Sequence, residues 1–369
     1  PGRLAGRTVA VLGVTAYRFS VAWPRVQPTG SGRVEPDKPC YICRGLMEDL
    51  DSIIVRIKAA VKGYEFQTFL IGATLPTQIY EREDTMRARL KIRGRESVKS
   101  QLTRELGIRL AQAMKRKVDY LKPDVTIGLI IDKENSVETT VKSRPIAFAG
   151  TYIKKVRGMP QKQDRCPHCE GRGCGFCGYS GLSGYDSVEG VIAKELIAKT
   201  KGQVPKFSWV GSEDQNSLVL GKGRPFYARI FNPQKRKLKK IRIKSNSGID
   251  ATLSACEDTP DPQARFTVKT RIHAKCESTL TKKDLKKLNS LAGTEVSFEN
   301  RSKMTTKKIY SAGARQIDGN NFTLTVVADG GLMIKQFVGG EEYMKPNISE
   351  IFGSKCECVT FDILDVVIQ

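Results

Sequence analysis

Residues 209–226 read WVGSEDQNSLVLGKGRPF. A Glu–Asp pair, Glu213 and Asp214, stands behind Gly211. An apolar step follows, then Gly-Lys-Gly-Arg-Pro-Phe. The pattern reads as a strand, a turn and a second strand. Neighbours on a strand point to opposite faces, so only one of the two acids can face a ligand.

These acids sit in a basic chain. Its 369 residues carry 62 Lys and Arg against 39 Asp and Glu, a net charge of +23. A surplus of this size favours a polyanionic partner through phosphate neutralisation. Two or three domains with their own cores fit this length. The apolar share of 40 % and charged share of 27 % are ordinary for a globular chain. No run of about 18 apolar residues is present, so no membrane partner is expected. The stretch RLAGRTVAVLGVTAYRFSVAWPRVQ lacks a signal-peptide cleavage pattern, and a cytoplasmic location is expected.

Six of the ten cysteines form three Cys-x-x-Cys pairs: Cys40/Cys43, Cys166/Cys169 and Cys174/Cys177. Two thiolates of one tight turn can reach one tetrahedral ion, so structural zinc is the expected cofactor. Two arrangements stay open. The four cysteines of CPHCEGRGCGFCGYSG close one local site, or one of those pairs joins Cys40/Cys43. Either all-thiolate set leaves no open position for water, and His168 reads as a bystander. Cys256, Cys276, Cys356 and Cys358 read as buried small hydrophobes.

Residues 1–36 form an extension running into the Pro/Gly-rich QPTGSGRVEPDKP. Over 37–160 helices alternate with strands. Leu46, Leu50, Ile53, Ile54 and Ile57 line one helix, and Leu102, Leu106, Leu110 and Met114 recur at spacing four in another. FQTFLIGATL, DVTIGLIID and SVETTVKSRPIAFAGTYIK read as strands. SVEGVIAKELIAKTKG reads as a helix, as does TKKDLKKLNSL. RPFYARIFN, KIRIKS, RFTVKTRIHAK, TEVSFEN, NFTLTVVA, GLMIKQFV and CVTFDILDVVI read as strands of a largely antiparallel sheet. The run QKRKLKKIRIK (234–244) alternates basic and apolar residues as an edge strand would. Lys235, Arg236, Lys237, Lys239 and Lys240 there, with Arg87, Arg89, Lys91 and Arg93 of MRARLKIRGR, are candidate phosphate contacts. Such contacts position a nucleic acid without reading its sequence.

GSEDQNSLVLGKGRPF resembles the signature of the archaeal and eukaryotic tRNA pseudouridine-54/55 synthase family. Gly211, Glu213, Asp214, Leu220, Gly221, Gly223, Arg224, Pro225 and Phe226 match it without gaps. CYICRGL is similar to the family's N-terminal Cys pair, residues 44–160 to its RNA-binding THUMP module, and CPHCEGRGCGFC to its archaeal Cys insert. SVEGVI and GGLMIKQFV…KPNISEIFG…DILDVVI follow in the family's order. The resemblance spans 37–369.

It implies an α+β fold. An N-terminal α/β THUMP-containing domain (37–160) and a Cys/Gly zinc module (161–185) precede a pseudouridine-synthase domain (186–369) with a mainly antiparallel sheet flanked by helices. It implies a tRNA partner rather than DNA, a monomer, and isomerisation of a flipped-out uridine of the T-arm at position 54 and/or 55, with no organic cofactor. Asp214 takes the essential acid's place. Arg224 and Lys335 are electrostatic partners, and Phe226, Phe337 and Tyr227 are candidate pocket walls. The family's Arg beside the acid is Ser212 here. Its base-stacking Tyr falls on Arg271 or Ile272 according to register, and a second Tyr is Met333. The usual His-Gly-Asp is Gly339-Gly340-Glu341. These departures raise an alternative, a weakened or inactive tRNA-binding protein on the same fold. A zinc-dependent nucleic-acid hydrolase is disfavoured, because it needs an open metal position.

Overall fold

The computed structural model describes residues 39–257, 265–300, 303–340 and 343–369. The N-terminal extension and Glu341 lie outside them. In chain order the strands are β1 (Thr68–Thr74), β2 (Lys117–Val118), β3 (Val125–Ile131), β4 (Val137–Ser143), β5 (Ile146–Lys154), β6 (Lys206–Trp209), β7 (Val219–Ile230), β8 (Lys240–Lys244), β9 (Ile249–Cys256), β10 (Phe266–Cys276), β11 (Glu295–Asn300), β12 (Lys303–Asp318), β13 (Asn321–Asp329) and β14 (Cys356–Ile368). The helices are α1 (Leu50–Ala60), α2 (Thr77–Arg89), α3 (Val98–Met114), α4 (Val188–Thr200), α5 (Lys282–Lys287), α6 (Ile334–Gly339) and α7 (Ile348–Phe352). No described helix is long and apolar enough to cross a membrane.

The first sheet has the order β2-β1-β3-β4. It is parallel at β1/β2 and β1/β3 and antiparallel at β3/β4. Leu50, Ile53, Ile54 and Ile57 of α1 and Leu102, Leu106 and Leu110 of α3 bury against it with Phe69, Val125 and Ile127. The spacing read from sequence therefore marks the buried faces. Ser97 caps α3 by accepting a hydrogen bond from the Ser100 amide.

The second sheet has ten strands, in the order β11-β12-β13-β10-β14-β7-β5-β9-β8, with β6 added to β7. Its pairings are antiparallel except β14/β7, which meet in parallel at Ile363 and Val219. One core, with Ile272, Phe298, Phe322 and Phe337, lies on the β10–β13 side. Another, with Phe148, Tyr152, Phe226 and Leu253, lies on the β5–β9 side.

Four sequence expectations change. Ile146–Lys154, assigned to the first unit by a boundary at 160, pairs with β7 and β9 in the large sheet. GLMIKQFV is not a strand: its second half is α6, burying Phe337 and Val338. Ile334, Phe337 and Val338 sit at helical spacing, and the run lacks strict alternation. Of the basic run 234–244, only Lys240–Lys244 is strand. Cys276 and Cys356 are buried as expected, but they are joined in a disulfide across β10 and β14.

Candidate active site

Glu213 and Asp214 do not lie on a strand. They sit in the irregular segment between β6 and β7. The segment starts at Gly211, whose φ is +75°. A Cβ there would stand 2.6 Å from Arg224 Nη2 and 2.7 Å from Phe266 Cζ, so both conformation and space call for glycine. Asp214 then makes its own turn: Oδ1 accepts from the Asn216 amide at 2.9 Å, and its carbonyl accepts from the Ser217 amide at 3.0 Å.

The two acids still face opposite ways. The Glu213 side chain is fully buried. Its Oε2 accepts from Tyr152 Oη at 2.7 Å, and Oε1 faces Lys154 Nζ at 2.9 Å. Arg224 Nη1 is 3.8 Å from Oε2. Lys154, equally buried, also donates to the carbonyls of Met159 (3.0 Å), Asp214 (3.3 Å) and Gln215 (3.2 Å). One ammonium thus fixes the peptide groups on the C-terminal side of Asp214. On the far side of the turn, Arg157 donates to the Asn216 carbonyl and pairs with Asp362, which accepts from the Leu218 amide at 3.1 Å.

Asp214 points the other way. Its Oδ2 accepts from Lys335 Nζ at 2.6 Å. Hydrogen bonding to Lys335, then the Asn216 amide and the charges of Lys335 and Lys154, hold its carboxyl below the usual range against partial burial. The same bond holds the Lys335 ammonium above its ordinary value. Burial pushes the Arg224 guanidinium down, and burial with the Glu213 charge pushes the Tyr152 phenol well up. Arg224 Nε donates to the Val210 carbonyl at 2.9 Å, while Nη1 has no hydrogen-bond partner.

In front of Asp214 opens a pocket of about 720 Å³, where the two cores of the large sheet meet. Asp214, Arg224 and Lys335 line it, as do Ser212 and Met333. Phe226, Phe337 and Tyr227 do not. Phe226 packs among Tyr152, Phe207 and Trp209, Phe337 lies in the other core, and Tyr227 is half-buried opposite Ser208. The aromatic wall is Trp209, Phe266 and Phe361. Phe266 was missed because the strand's pocket face comes earlier than either family register put it. Phe266, Val268 and Thr270 line the pocket, whereas Arg271 is exposed and Ile272 is in the core. A Cβ at Gly330 would collide with the Phe266 ring, so Gly211 and Gly330 bracket that ring closely. Lys154 gave no local signal either, since it reads as one more basic residue at a strand end.

The basic candidates divide. Arg89, Lys91, Arg93, Lys237, Lys239 and Lys240 are exposed. Arg87 bonds Glu83 at 2.6 Å and the carbonyls of Arg95 and Glu96. Lys235 pairs with Glu65 at 3.5 Å. Arg236 is turned inward, bonding Ser143 Oγ at 2.9 Å and facing Asp124 at 3.7 Å. Glu65 accepts from the Arg236 and Lys237 amides at 2.9 and 3.1 Å. This half of the run ties the first sheet's unit to the second.

The sulfurs of Cys166, Cys169, Cys174 and Cys177 lie within 4.8 Å of one another, the local arrangement of the two left open. Among the described residues Cys40 and Cys43 are outside this cluster. Four sulfurs about 2.3 Å from one zinc stand about 3.8 Å apart. Here Cys177 is 3.9 Å from Cys169 and 3.8 Å from Cys174. The Gly173 amide donates to Cys169 Sγ at 3.1 Å, and the Cys174 and Gly181 amides donate to Cys177 Sγ at 3.3 and 3.2 Å. The Cys174 amide leads in lowering the Cys177 thiol to about 6, which favours a thiolate donor. The cluster fits a metal ion.

This architecture has close counterparts. Residues 148–367 match the family model described as "Pus10, C-terminal", and residues 53–132 match "Pus10 THUMP domain, archaeal". Together they define the class as a THUMP-bearing pseudouridine synthase. The "tRNA pseudouridine synthase Pus10" of Nitrosopumilus maritimus is 33 % identical over 89 % of this chain and 86 % of that protein. Its namesake in Cenarchaeum symbiosum is 31 % identical over 92 % of this chain and 84 % of its own length. That of Methanosphaera stadtmanae is 30 % identical over 89 % and 88 %. The chain belongs to the Pus10 family of tRNA pseudouridine synthases, which are isomerases.

Proposed function

We propose that this chain converts uridine to pseudouridine in the T-arm of tRNA, at position 54 and/or 55, with Asp214 as the essential acid. The observation that carries this reading is the Asp214–Lys335 pair, 2.6 Å apart at the mouth of an aromatic-walled pocket. The uridine is flipped from the RNA into the pocket. Its N1–C1′ bond breaks, the base turns, and C5 bonds to C1′. The C5 proton is lost and N1 gains one, so the reaction is a net isomerisation without redox change. Asp214 is ionised at neutral pH and acts as nucleophile or base. Phe266 offers the aromatic face that the resemblance sought at Arg271 or Ile272. The alternative of an inactive RNA-binding protein rests on several departures; Phe266 answers the missing aromatic, while Ser212 and Met333 still line the pocket.

The four-cysteine cluster would hold structural zinc, which stiffens the module and takes no part in the chemistry. Arg89, Lys91, Arg93, Lys237, Lys239 and Lys240 are the phosphate contacts, and the enzyme works as a cytoplasmic monomer. The test is to map pseudouridine in an unmodified tRNA transcript after incubation with the purified chain. Conversion at position 54 or 55 supports the reading. Conversion elsewhere overturns the T-arm assignment, and tight binding without conversion overturns the enzyme.

A further inference from the structure

Residues 166–181 form a small knob around the four cysteines, and its outer surface is unusual for a protein exterior. Phe176 is 74 % exposed and Tyr179 79 % exposed. His168 lies against Phe176, with ring centroids 4.0 Å apart. Large open aromatics on an ordered knob mark an interaction surface. The knob is held from within. The Tyr179 amide donates to the Cys174 carbonyl at 2.8 Å, and a Cβ at Gly173 would stand 2.8 Å from the Tyr179 carbonyl. These contacts and the amide-to-sulfur bonds fix the backbone that carries the rings.

The knob is tethered near the pocket, of which Gly211 is a lining residue. Its stem leaves Gln161, whose Nε2 donates to Tyr152 Oη at 3.0 Å and to the Gly211 carbonyl at 3.5 Å. Tyr152 in turn holds Glu213. Cys166 is five residues further on, at most about 18 Å of extended chain. That is about the length of five stacked nucleotides. A tRNA with a uridine in the pocket is large enough to span this distance.

We infer that the knob is a second RNA contact, stacking unpaired bases of the substrate on Phe176 and Tyr179. This rests on the reading of the chain as an RNA-modifying enzyme. Charge does not carry the contact. Exposed Lys162, Arg165 and Arg172 are nearly balanced by exposed Asp164 and Glu170. An aromatic platform binds through the faces of bases and tolerates any sequence.

The test uses the full chain and a tRNA transcript. Both substitutions are on exposed side chains, so Phe176→Ala, Tyr179→Ala and the double variant should melt as wild type does. Binding is measured by filter retention across a salt series. Each lost stack should weaken affinity roughly tenfold. The slope of log K against log salt should stay as in wild type, because no phosphate contact is removed. Phe176→Trp should add indole fluorescence to that of wild type, which has Trp209 at the pocket, and the transcript should quench the added part. Wild-type affinity in the double variant, no quenching, or a shallower salt slope overturns the stacking contact while the proposed function stands; the first two results also point to a protein-facing patch. A wild type that binds no tRNA overturns both.

Discussion

Glu213 and Asp214 share a peptide bond and the same functional group, yet they lie in different media. Behind the loop, Glu213 is sealed with Lys154, Tyr152 and Arg224. In front, Asp214 meets Lys335 at the pocket, with side chains 25 % and 60 % exposed. A buried ion pair is costly to break, because removing one partner strands a charge in a poor solvent. Such a pair is suited to fixing geometry. An open pair keeps a carboxylate ionised while water or a substrate can still replace the partner. In the proposed reaction the inner cluster positions and the outer pair reacts.

The largest break in this contrast comes from Asp214→Asn. Size and most hydrogen bonds are kept, but the charge is lost. Pseudouridine formation should fall by more than about a thousandfold, with tRNA affinity near wild type. Single-turnover assays with filter binding check it. Near-normal turnover would shift the essential role to Glu213.

Next is Lys154→Met. It leaves Glu213 buried with only Arg224, 3.8 Å away, as counter-charge and three carbonyls without their donor, and stability should drop by about 3–5 kcal/mol. Lys154→Met with Glu213→Gln leaves the buried Arg224 guanidinium without a counter-charge, so it should recover little of that loss in denaturant melts. It still lacks the ammonium that holds the Asp214 and Gln215 carbonyls, so its rate per folded molecule should stay well below wild type. A fully active double variant would mean that the loop holds its shape without Lys154.

How much of this was legible follows the same divide. The helical faces of α1 and α3 were readable because one repeating pattern meets one core. The four-cysteine cluster was readable as one of two options, since its donors are close in sequence. The acid and its lysine came from the resemblance, and the structure brings them into contact across 121 residues. What could not be read depends on long-range packing. Lys154 meets Glu213 only because β5 joins the large sheet. Phe266 reaches the pocket through the placement of β10 between β13 and β14. The segment Gly211–Leu218 reads as a strand edge because nothing local reveals that three side chains from elsewhere hold it as a loop.

The knob permits a milder test of what a positioning cluster does. Elemental analysis of chain purified without added metal should find one zinc for its four cysteines. Stripping it with a strong chelator should open residues 166–181 to thiol reagents and protease. The main melting transition should move less than in Lys154→Met, because the knob lies outside the three cores. A metal-free chain whose knob stays protected would show that backbone and sulfur hydrogen bonds suffice.

The smallest effect is expected at Lys335, and its sign follows from the open pair. Lys335 is the first cause of the lowered Asp214 carboxyl. Lys335→Met removes that cause, so the carboxyl titrates closer to the ordinary range for an aspartate. A reaction that needs ionised Asp214 should then lose rate at a higher pH on the acid side, with the neutral plateau reduced far less than in Asp214→Asn. The same depression contributes stability above the unfolded carboxyl's titration range, and that contribution is lost as pH falls through the folded value. The pair is open to water, so the stability change should be slight, and the pH–rate profile is the sensitive measure. An acid limb that does not move would mean that the Asn216 amide alone keeps Asp214 ionised. The contrast between the two acids would then rest on burial rather than on their cations.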